Sequence, residues 1–159
     1  MTEDWFVANL RDARWAERPG FGRRVRLEPQ DARFEQLGIQ IGVFGPGERS
    51  TLYHAEAGQE GFLVLRGSCL AIVEDEEIQL KQWDYVHCPP WTRHVFVNEG
   101  DEECVLLMVG ARVGPGIVYP RSEVALRHGG GVERETSSPQ EAYAPFGHWA
   151  PAAEKPTLP

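Results

Sequence analysis

The sequence predicts an all-β domain, either a barrel or a sandwich. Its 17 glycines and 12 prolines divide the chain into short segments that are typical of strands joined by turns. Those segments are rich in β-branched and aromatic residues and alternate every second residue rather than with the longer period of a helix. A length of 159 residues with 42% hydrophobic residues suffices for one domain with its own core, which excludes an intrinsically disordered chain.

About eight strands are predicted within residues 36–111. The clearest is residues 36–44, where Leu37, Ile39 and Ile41 alternate with glycine or glutamine and the run Gly45-Pro46-Gly47 ends the strand. The other predicted strands are residues 51–56, 60–66, 69–74, 77–80, 84–88, 94–98 and 103–109. An acidic run at residues 74–77 is interpreted as the turn of a hairpin.

The flanking segments are assigned to the same domain as this core. Residues 1–35 are interpreted as an N-terminal strand or arm, residues 36–111 as the barrel core, and residues 112–159 as C-terminal strands, a short helix and a tail. The helix is placed after Ser138, because Ser138 and Glu141 have the spacing of a capping box and Pro139 follows the cap; Pro145 ends it. The tail from Ala150 is expected to be extended or disordered. An arginine group in the first flank is expected to be solvated or paired with acids; its members are Arg18, Arg23, Arg24 and Arg26.

The charge balance excludes several classes of partner. Acidic residues outnumber basic ones 24 to 16, for a net charge of −8, so neither a nucleic acid backbone nor an anionic membrane surface is an expected partner. No apolar run reaches the length of about 18 residues that spans a bilayer, and the acidic start lacks the basic segment of an export signal. A cytoplasmic location is therefore expected.

The cysteines, Cys69, Cys88 and Cys104, are odd in number and are expected to be reduced, buried thiols.

Two stretches carry the chemistry of this sequence. In the first, His54 and Glu56 share a strand face, and Glu60 begins the next strand on the face of Phe62. In the second, His94 lies on a predicted strand. Two imidazoles and two carboxylates suit a divalent first-row metal, because they offer mixed nitrogen and oxygen donors and two negative charges. The alternative is a hydrogen-bonded polar pocket inside an empty barrel.

The two stretches resemble the paired motifs of the cupin superfamily, G-x5-H-x-H-x3,4-E-x6-G and G-x5-P-x-G-x2-H-x3-N. His54, Glu60 and Gly67 match the first motif, and the second is matched at the same spacing by Pro89, His94 and Asn98. The fifteen residues between the motifs, 68–82, are a short spacing like that of small microbial cupins. The resemblance covers about residues 45–110 and implies a double-stranded β-helix, or jelly roll, with a metal near its axis.

The sequence departs from the motifs at four places. Glu56 stands where the family has its second histidine, and Gly47 lies one residue too far upstream. Trp83 and Trp91 stand where the second motif has glycines. Glycine permits tight turns at such places, so the two tryptophans predict altered loops. The Glu56 change alone touches the site, and a glutamate can still coordinate a metal.

The resemblance implies one divalent metal ion per chain, such as Zn, Fe, Mn or Ni, with His54, Glu56, Glu60 and His94 as its ligands. It also implies a homodimer, which agrees with the need to cover Trp5, Trp15 and Trp149 outside the core strands. Two function classes remain open. One is a metal-dependent enzyme, of oxygenase or isomerase type, that acts on a small polar molecule; the other is a non-catalytic barrel that binds or senses a small ligand.

Other candidate residues are interpreted structurally. His87 and Cys88 are expected to be packing residues rather than a base and a nucleophile, and Tyr53 is expected on the outer face. Asn98 is expected to be a structural hydrogen-bonding residue. His128 and His148 are expected at the surface of the C-terminal region.

Overall fold

The computed structural model describes residues 5–29 and 31–159 of the chain. Short strands dominate this part; they are β1 (Ala16–Arg18), β2 (Gly22–Arg26), β3 (Leu37–Phe44), β4 (Ala55–Glu56), β5 (Glu60–Arg66), β6 (Ser68–Val73), β7 (Glu76–Lys81), β8 (Tyr85–Cys88), β9 (His94–Val97), β10 (Cys104–Ala111), β11 (Ile117–Val118) and β12 (Ala150–Pro151). Two short helices, α1 (Glu123–Arg127) and α2 (Pro139–Ala142), lie in the C-terminal flank. Residues 1–4, which carry most of the acidic start used in the export prediction, lie outside the described residues.

The strands form two main antiparallel sheets. The larger has the order β12-β1-β2-β3-β10-β5-β8 and the smaller β7-β6-β9, while β4 and β11 form a separate pair. Side chains of both main sheets meet in one interior cluster, with Phe62 and Leu106 from the larger sheet and Ala71 and Phe96 from the smaller. Two antiparallel sheets around one apolar interior are the jelly-roll barrel that the sequence predicts, so the all-β fold class is confirmed.

Most predicted strands agree with the observed ones within two residues, and the main exception is the strand at residues 51–56. Regular pairing there is confined to β4, preceded by a single bridge at His54. The backbone N–H of Leu52 donates to the Tyr143 hydroxyl (3.1 Å) and that of Tyr53 to the Gly130 carbonyl (2.7 Å). The C-terminal flank thus satisfies backbone groups that a longer strand would have paired within a sheet.

The acidic turn is tighter than predicted. β6 and β7 pair up to Val73 and Glu76, so Glu74 and Asp75 alone form the loop. Both have positive φ, 50° and 65°, as the central residues of a two-residue type I′ hairpin require.

The flanks pack onto the core. β2 pairs with β3 and β1 pairs with both β2 and β12, so the tail extends the larger sheet. Trp15 and Val25 share a cluster with Val105 of the core and Leu158 of the tail. The tail is therefore extended and packed rather than disordered.

Both helices begin at a serine cap. Ser138 Oγ accepts from the Glu141 N–H (3.3 Å), with Pro139 in the first turn, which confirms the predicted helix start. α1 was not expected; Ser122 caps it through the Ala125 N–H (3.1 Å). Among the described residues, no helix is long and apolar enough to cross a membrane.

Candidate metal centre

A backbone bridge brings two histidines together. The His54 N–H donates to the His94 carbonyl (3.2 Å) and the His94 N–H donates back to the His54 carbonyl (2.9 Å), which places the ring centroids 4.7 Å apart. Glu60 begins β5, and its Oε2 lies 3.1 Å from His94 Nε2. Three residues from separate parts of the chain thus meet at one end of the barrel interior.

His54, Glu60 and His94 form a compact group of potential ligands. Each offers one ligand atom, and these atoms all lie within 4.8 Å of one another. The side chains are 7%, 15% and 2% exposed, respectively. This arrangement brings together three of the four residues that the sequence predicts as ligands.

Backbone carbonyls orient both imidazole rings. His54 Nδ1 lies 2.8 Å from the Leu52 oxygen and His94 Nδ1 lies 2.9 Å from the Thr92 oxygen. A carbonyl oxygen only accepts, so each Nδ1 holds a proton and donates it, and each Nε2 faces the group. Metal-ligating histidines are held in this way, and two imidazole nitrogens with a carboxylate oxygen fit a divalent transition metal. The residues present therefore fit the metal that the fold family implies.

The two histidines differ in their electrostatics. Burial, reinforced by the neighbouring His94, lowers the pKa of His54 to about 4. Burial acts in the same direction on His94, but hydrogen bonds with the Cys88 thiol and the Glu60 carboxylate outweigh it and raise the pKa to about 10. The raised pKa keeps the His94 imidazole protonated at neutral pH when no cation is bound, and a divalent cation held by His54, Glu60 and His94 would displace that proton.

Glu56, the fourth predicted ligand, lies beside the compact group. Its Oε2 is 3.8 Å from His54 Nε2, and its side chain is 30% exposed. Burial raises the pKa of Glu56 to about 7, and the charge of Glu60 adds to this effect. The role of Glu56 as a fourth ligand, next to His54, Glu60 and His94, stays a prediction.

The group lies in a cavity of about 270 Å³. Its walls include the four predicted ligands, Phe62 and Met108 towards the apolar interior, two tyrosines and several arginines. A larger groove of about 1900 Å³ runs along the N-terminal arm and the tail, past Trp5, Trp15 and Trp149. None of the predicted ligands lines that groove.

Three arginines of the N-terminal group lie on β2 and divide between its two faces, while Arg18 ends β1. Arg23 pairs with Glu103, as expected of a surface arginine. Arg24 and Arg26 both lie in the wall of the candidate site's cavity. Arg24 is half-buried there without an acidic partner, which corrects the expectation for that residue, whereas Arg26 is exposed as expected. The two-residue spacing of Arg24 and Arg26 is the signal that the sequence offered for this shared face.

Two tyrosines of the cavity wall, Tyr119 and Tyr143, are not among the predicted site residues. The Tyr119 ring lies 5.8 Å from that of His54 and packs edge-on against Tyr143. Burial raises the pKa of both phenols. Both residues come from the C-terminal flank, so nothing in the two motif stretches indicated them.

The two tryptophans at glycine positions keep a glycine-like backbone. Trp83 and Trp91 have φ of 75° and 66°, in the left-handed region that glycine adopts without steric cost. The Trp83 N–H donates to the Val64 carbonyl and the Trp91 N–H to the Glu56 carbonyl, both at 2.8 Å. The expectation of altered loops is therefore wrong for the backbone; the difference lies in two exposed indole rings.

Several single-residue expectations are corrected. Tyr53 lies on the outer face of the barrel as predicted, where it packs with Ile72 and Val95, but α1 covers that face and Tyr53 is fully buried; its hydroxyl donates to Asp75 (3.1 Å). Cys88 is a buried packing residue, yet its thiol contacts His94, a neighbour that the sequence did not indicate. His87 is exposed rather than packed.

Other expectations agree with the structure. Asn98 is a structural residue: its Nδ2 donates to the Phe44 and Glu102 carbonyls (2.8 and 2.7 Å). His148 is exposed. His128 is at the surface, where it pairs with glutamates of two other segments.

The comparisons with known proteins agree with this architecture. A family model described as "Cupin domain" matches residues 40–110. A sugar phosphate isomerase of the cupin superfamily from Silicibacter pomeroyi DSS-3 is 25% identical, with a TM-score of 0.54 over 60% of this chain and 62% of that protein. A proposed sugar phosphate isomerase from Acidithiobacillus ferrooxidans ATCC 23270 is 30% identical, with a TM-score of 0.53 over 63% of this chain and 65% of that protein. This chain thus spans less than two thirds of either protein.

A third similar structure shares the fold alone. It is a polyketide cyclase from Streptomyces resistomycificus, 15% identical, with a TM-score of 0.61 over 72% of this chain and 84% of that protein. Among curated proteins the comparison finds no match. From the matched domain and the fold of its structural neighbours, we conclude that residues 40–110 of this chain form a cupin domain.

Proposed function

We propose that this chain is a metal-dependent enzyme of isomerase type that acts on a small polar molecule. The observation that carries the proposal is the compact group of His54, Glu60 and His94 in a cavity large enough for such a molecule. A bound metal supplies Lewis-acid polarisation of a carbonyl or hydroxyl oxygen. The names of the two sugar phosphate isomerases at 25% and 30% identity support the isomerase type.

The chain's own residues account for the rest of the site. Leu52 and Thr92 hold the two imidazoles through their carbonyls, while Phe62 and Met108 close the cavity towards the apolar interior. Glu56 and Tyr119 line the same cavity and face a molecule bound there. We propose one divalent metal ion and a small-molecule substrate per chain.

A second candidate is an Fe(II) oxygenase, which one observation favours. The compact group consists of two histidines and one carboxylate, the ligand set of non-haem iron oxygenases. A fourth ligand from Glu56 leaves fewer positions open, so a metal-loaded structure with Glu56 off the ion strengthens this candidate.

Metal analysis of protein purified without a histidine tag tests the proposal. We expect close to one divalent ion per chain, and loss of that ion in the His94→Ala variant. The loaded protein is then incubated with a panel of small sugar phosphates, with products followed by NMR and oxygen by an electrode. Isomerised product without oxygen uptake supports the isomerase, oxygen uptake supports the oxygenase, and ligand-induced stabilisation without turnover supports a binding protein instead.

The homodimer and the cytoplasmic location are also proposals. Trp15 is buried within the chain and Trp149 packs against Arg24, so these two need no partner for cover. Trp5 is 88% exposed and is the tryptophan that still supports the dimer. Sedimentation of the purified chain tests this state directly.

A further inference from the structure

We propose that Arg24 and Arg26 bind the phosphate group of a small hydroxylated substrate in the cavity that holds His54, Glu60 and His94. This inference rests on the proposed function and adds the chemical class of the substrate. It is carried by the direction of two side chains, by their lack of acidic partners and by a buried amide oxygen next to them.

The geometry of β2 points both arginines into the cavity. Val25, between them, packs in the cluster of Trp15 on the other face of the sheet, so Arg24 and Arg26 project from the opposite face. That face is the barrel interior, because Arg24 pairs in register with Gly42 and Arg26 with Gln40. Both arginines line the candidate site's cavity.

These two guanidinium groups are not neutralised by the protein. Within residues 5–29 and 31–159, the guanidinium groups of Arg24 and Arg26 form no hydrogen bond and no ion pair, whereas Arg23 pairs with Glu103 and Arg112 with Glu28. A half-buried cation without an acidic partner, as Arg24 is, is unexpected in a chain with eight more acidic than basic residues, and Arg26 extends the same positive charge to the exposed rim of the cavity.

The environment of Arg24 adds to this imbalance. Burial first, and then the charges of Arg26 and Arg18, lower the pKa of Arg24 to about 10. An anion bound between the two guanidinium groups relieves both the desolvation and the repulsion.

Trp149 leaves the donors of Arg24 free. The Arg24 guanidinium carbon lies 3.7 Å from the centre of the Trp149 ring. Stacking on an aromatic face fixes the plane of the guanidinium, while its N–H groups still point outward in that plane. A guanidinium plane held in this way can donate two parallel hydrogen bonds to the oxygens of a phosphate.

Gln40 indicates what else the ligand carries. Its Oε1 is buried without a hydrogen-bond partner among the described residues, opposite Arg26 and in the wall of the same cavity. An unsatisfied buried acceptor is costly. A hydroxyl group on the ligand satisfies it by donating a proton, so the ligand combines an anion with hydroxyl groups.

Charge favours a phosphate over a carboxylate. Two adjacent guanidinium groups balance a dianion better than a monoanion. Glu56 and Glu60 in the same cavity repel any anion unless a divalent cation stands between them, so binding is expected to be stronger in the metal-loaded protein.

The experiment titrates inorganic phosphate, glycerol 3-phosphate and acetate into the protein with and without added zinc, by calorimetry. We expect phosphate to bind more tightly than acetate, and Arg24→Gln and Arg26→Gln each to weaken phosphate binding at least about tenfold, the worth of one charge-assisted hydrogen bond. The matched control is Arg23→Gln, the neighbouring residue on the other face, which should bind phosphate like the wild type. Arg26→Lys, which keeps the charge, should recover part of the affinity.

Glycerol 3-phosphate is expected to bind more tightly than inorganic phosphate, and Gln40→Leu should remove that advantage. Metal content and melting temperature are measured for every variant, so the two proposals fail separately: a protein that takes up no metal overturns the proposed function. Absence of phosphate binding, equal affinity in wild type, Arg24→Gln and Arg26→Gln, or tighter binding of acetate than of phosphate overturns this inference.

Discussion

The two ends of the same barrel interior have opposite chemistry. On β5, Glu60 is followed on the same face by Phe62 and Val64, and on β9 His94 is followed by Phe96. On each of these strands, the interior side chain is ionisable at one position and apolar two residues further along. We call the first region the polar mouth and the second, centred on Phe96, the apolar end.

The difference separates residues that stabilise the fold from residues that bind a ligand. Burying Phe96 and its neighbours contributes about 25 cal/mol for each square ångström of apolar surface removed from water. Burying His94 and Glu60 removes both groups from water, and although their interaction raises the pKa of His94, a buried ion pair generally stabilises a fold no more than well-packed apolar residues of similar volume do. Stability alone therefore does not account for the polar mouth, which agrees with the metal site that we propose there.

The largest expected effect is at the apolar end. Phe96→Ala leaves a cavity between the sheets and is expected to destabilise the metal-free protein by about 3–5 kcal/mol, measured by urea unfolding. Metal content per folded chain should stay unchanged. The control Ile78→Ala, on the exposed side of β7, should change stability by about 0.5 kcal/mol or less. A smaller loss of stability in Phe96→Ala than in Ile78→Ala would contradict the comparison.

Metal removal is expected to have the next largest effect, and only at the polar mouth. With free metal at about 100 times its Kd, linkage stabilises the folded chain by about 2.7 kcal/mol, which raises Tm by several degrees. Chelation should reverse this shift in the wild type and have no effect on His94→Ala. An unchanged Tm after complete removal of the metal would contradict the prediction.

The two carboxylates of the mouth sharpen the comparison further. Glu60→Gln is expected to lower metal affinity more than Glu56→Gln, because Glu60 belongs to the compact group. A group that supports a ligand costs about 10–100-fold in affinity when it is removed, and Glu56→Gln should fall in that range. Glu76→Gln, on exposed β7, is the control and should change nothing. Equal losses of metal affinity in Glu56→Gln and Glu60→Gln, together with a metal-loaded structure in which Glu56 binds the ion, would establish four ligands. In that case Glu56→His should retain the metal.

The two left-handed tryptophans lie at opposite ends, since Trp83 is bonded to Val64 and Trp91 to Glu56. A non-glycine residue in this region costs about 1–2 kcal/mol, so Trp83→Gly, which removes a 67% exposed ring, is expected to stabilise the chain by about 1 kcal/mol. Trp91→Gly should gain less, because its ring packs against Gly116. Denaturant midpoints of the two variants test this order, and a larger gain at Trp91 would refute it.

The smallest effect is expected from a histidine outside the barrel. Burial acts to lower the pKa of His128, but hydrogen bonds with Glu99 and Glu77 outweigh it and raise the pKa above its usual value near 6.5. A raised pKa in the folded state means that the stabilisation is complete below that value and is lost as the pH rises through the folded pKa. The Tm difference between wild type and His128→Gln should therefore be larger at pH 6 than at pH 9; the reverse order would contradict the pairing.

Local pattern in the sequence was sufficient for most of the fold. β5 was predicted with its observed bounds and β3 within one residue, because two-residue alternation and glycine or proline punctuation are properties of neighbouring residues. The same two-residue alternation predicts that His54 and Glu56 share one strand face and that Glu60 and Phe62 share another. The capped helix after Ser138 was predictable for the same reason, since its signal spans four residues.

Contacts between distant segments decided what the sequence could not. Gly130 and Tyr143 of the C-terminal flank take the backbone bonds that shorten the strand before Glu56, and the same flank covers Tyr53 on the outer face of the barrel. The direction of Arg24 and Arg26 depended on which face of β2 the flanks cover. Alternation tells that two side chains share a face, but only the packing of one sheet against another tells whether that face meets solvent, core or ligand.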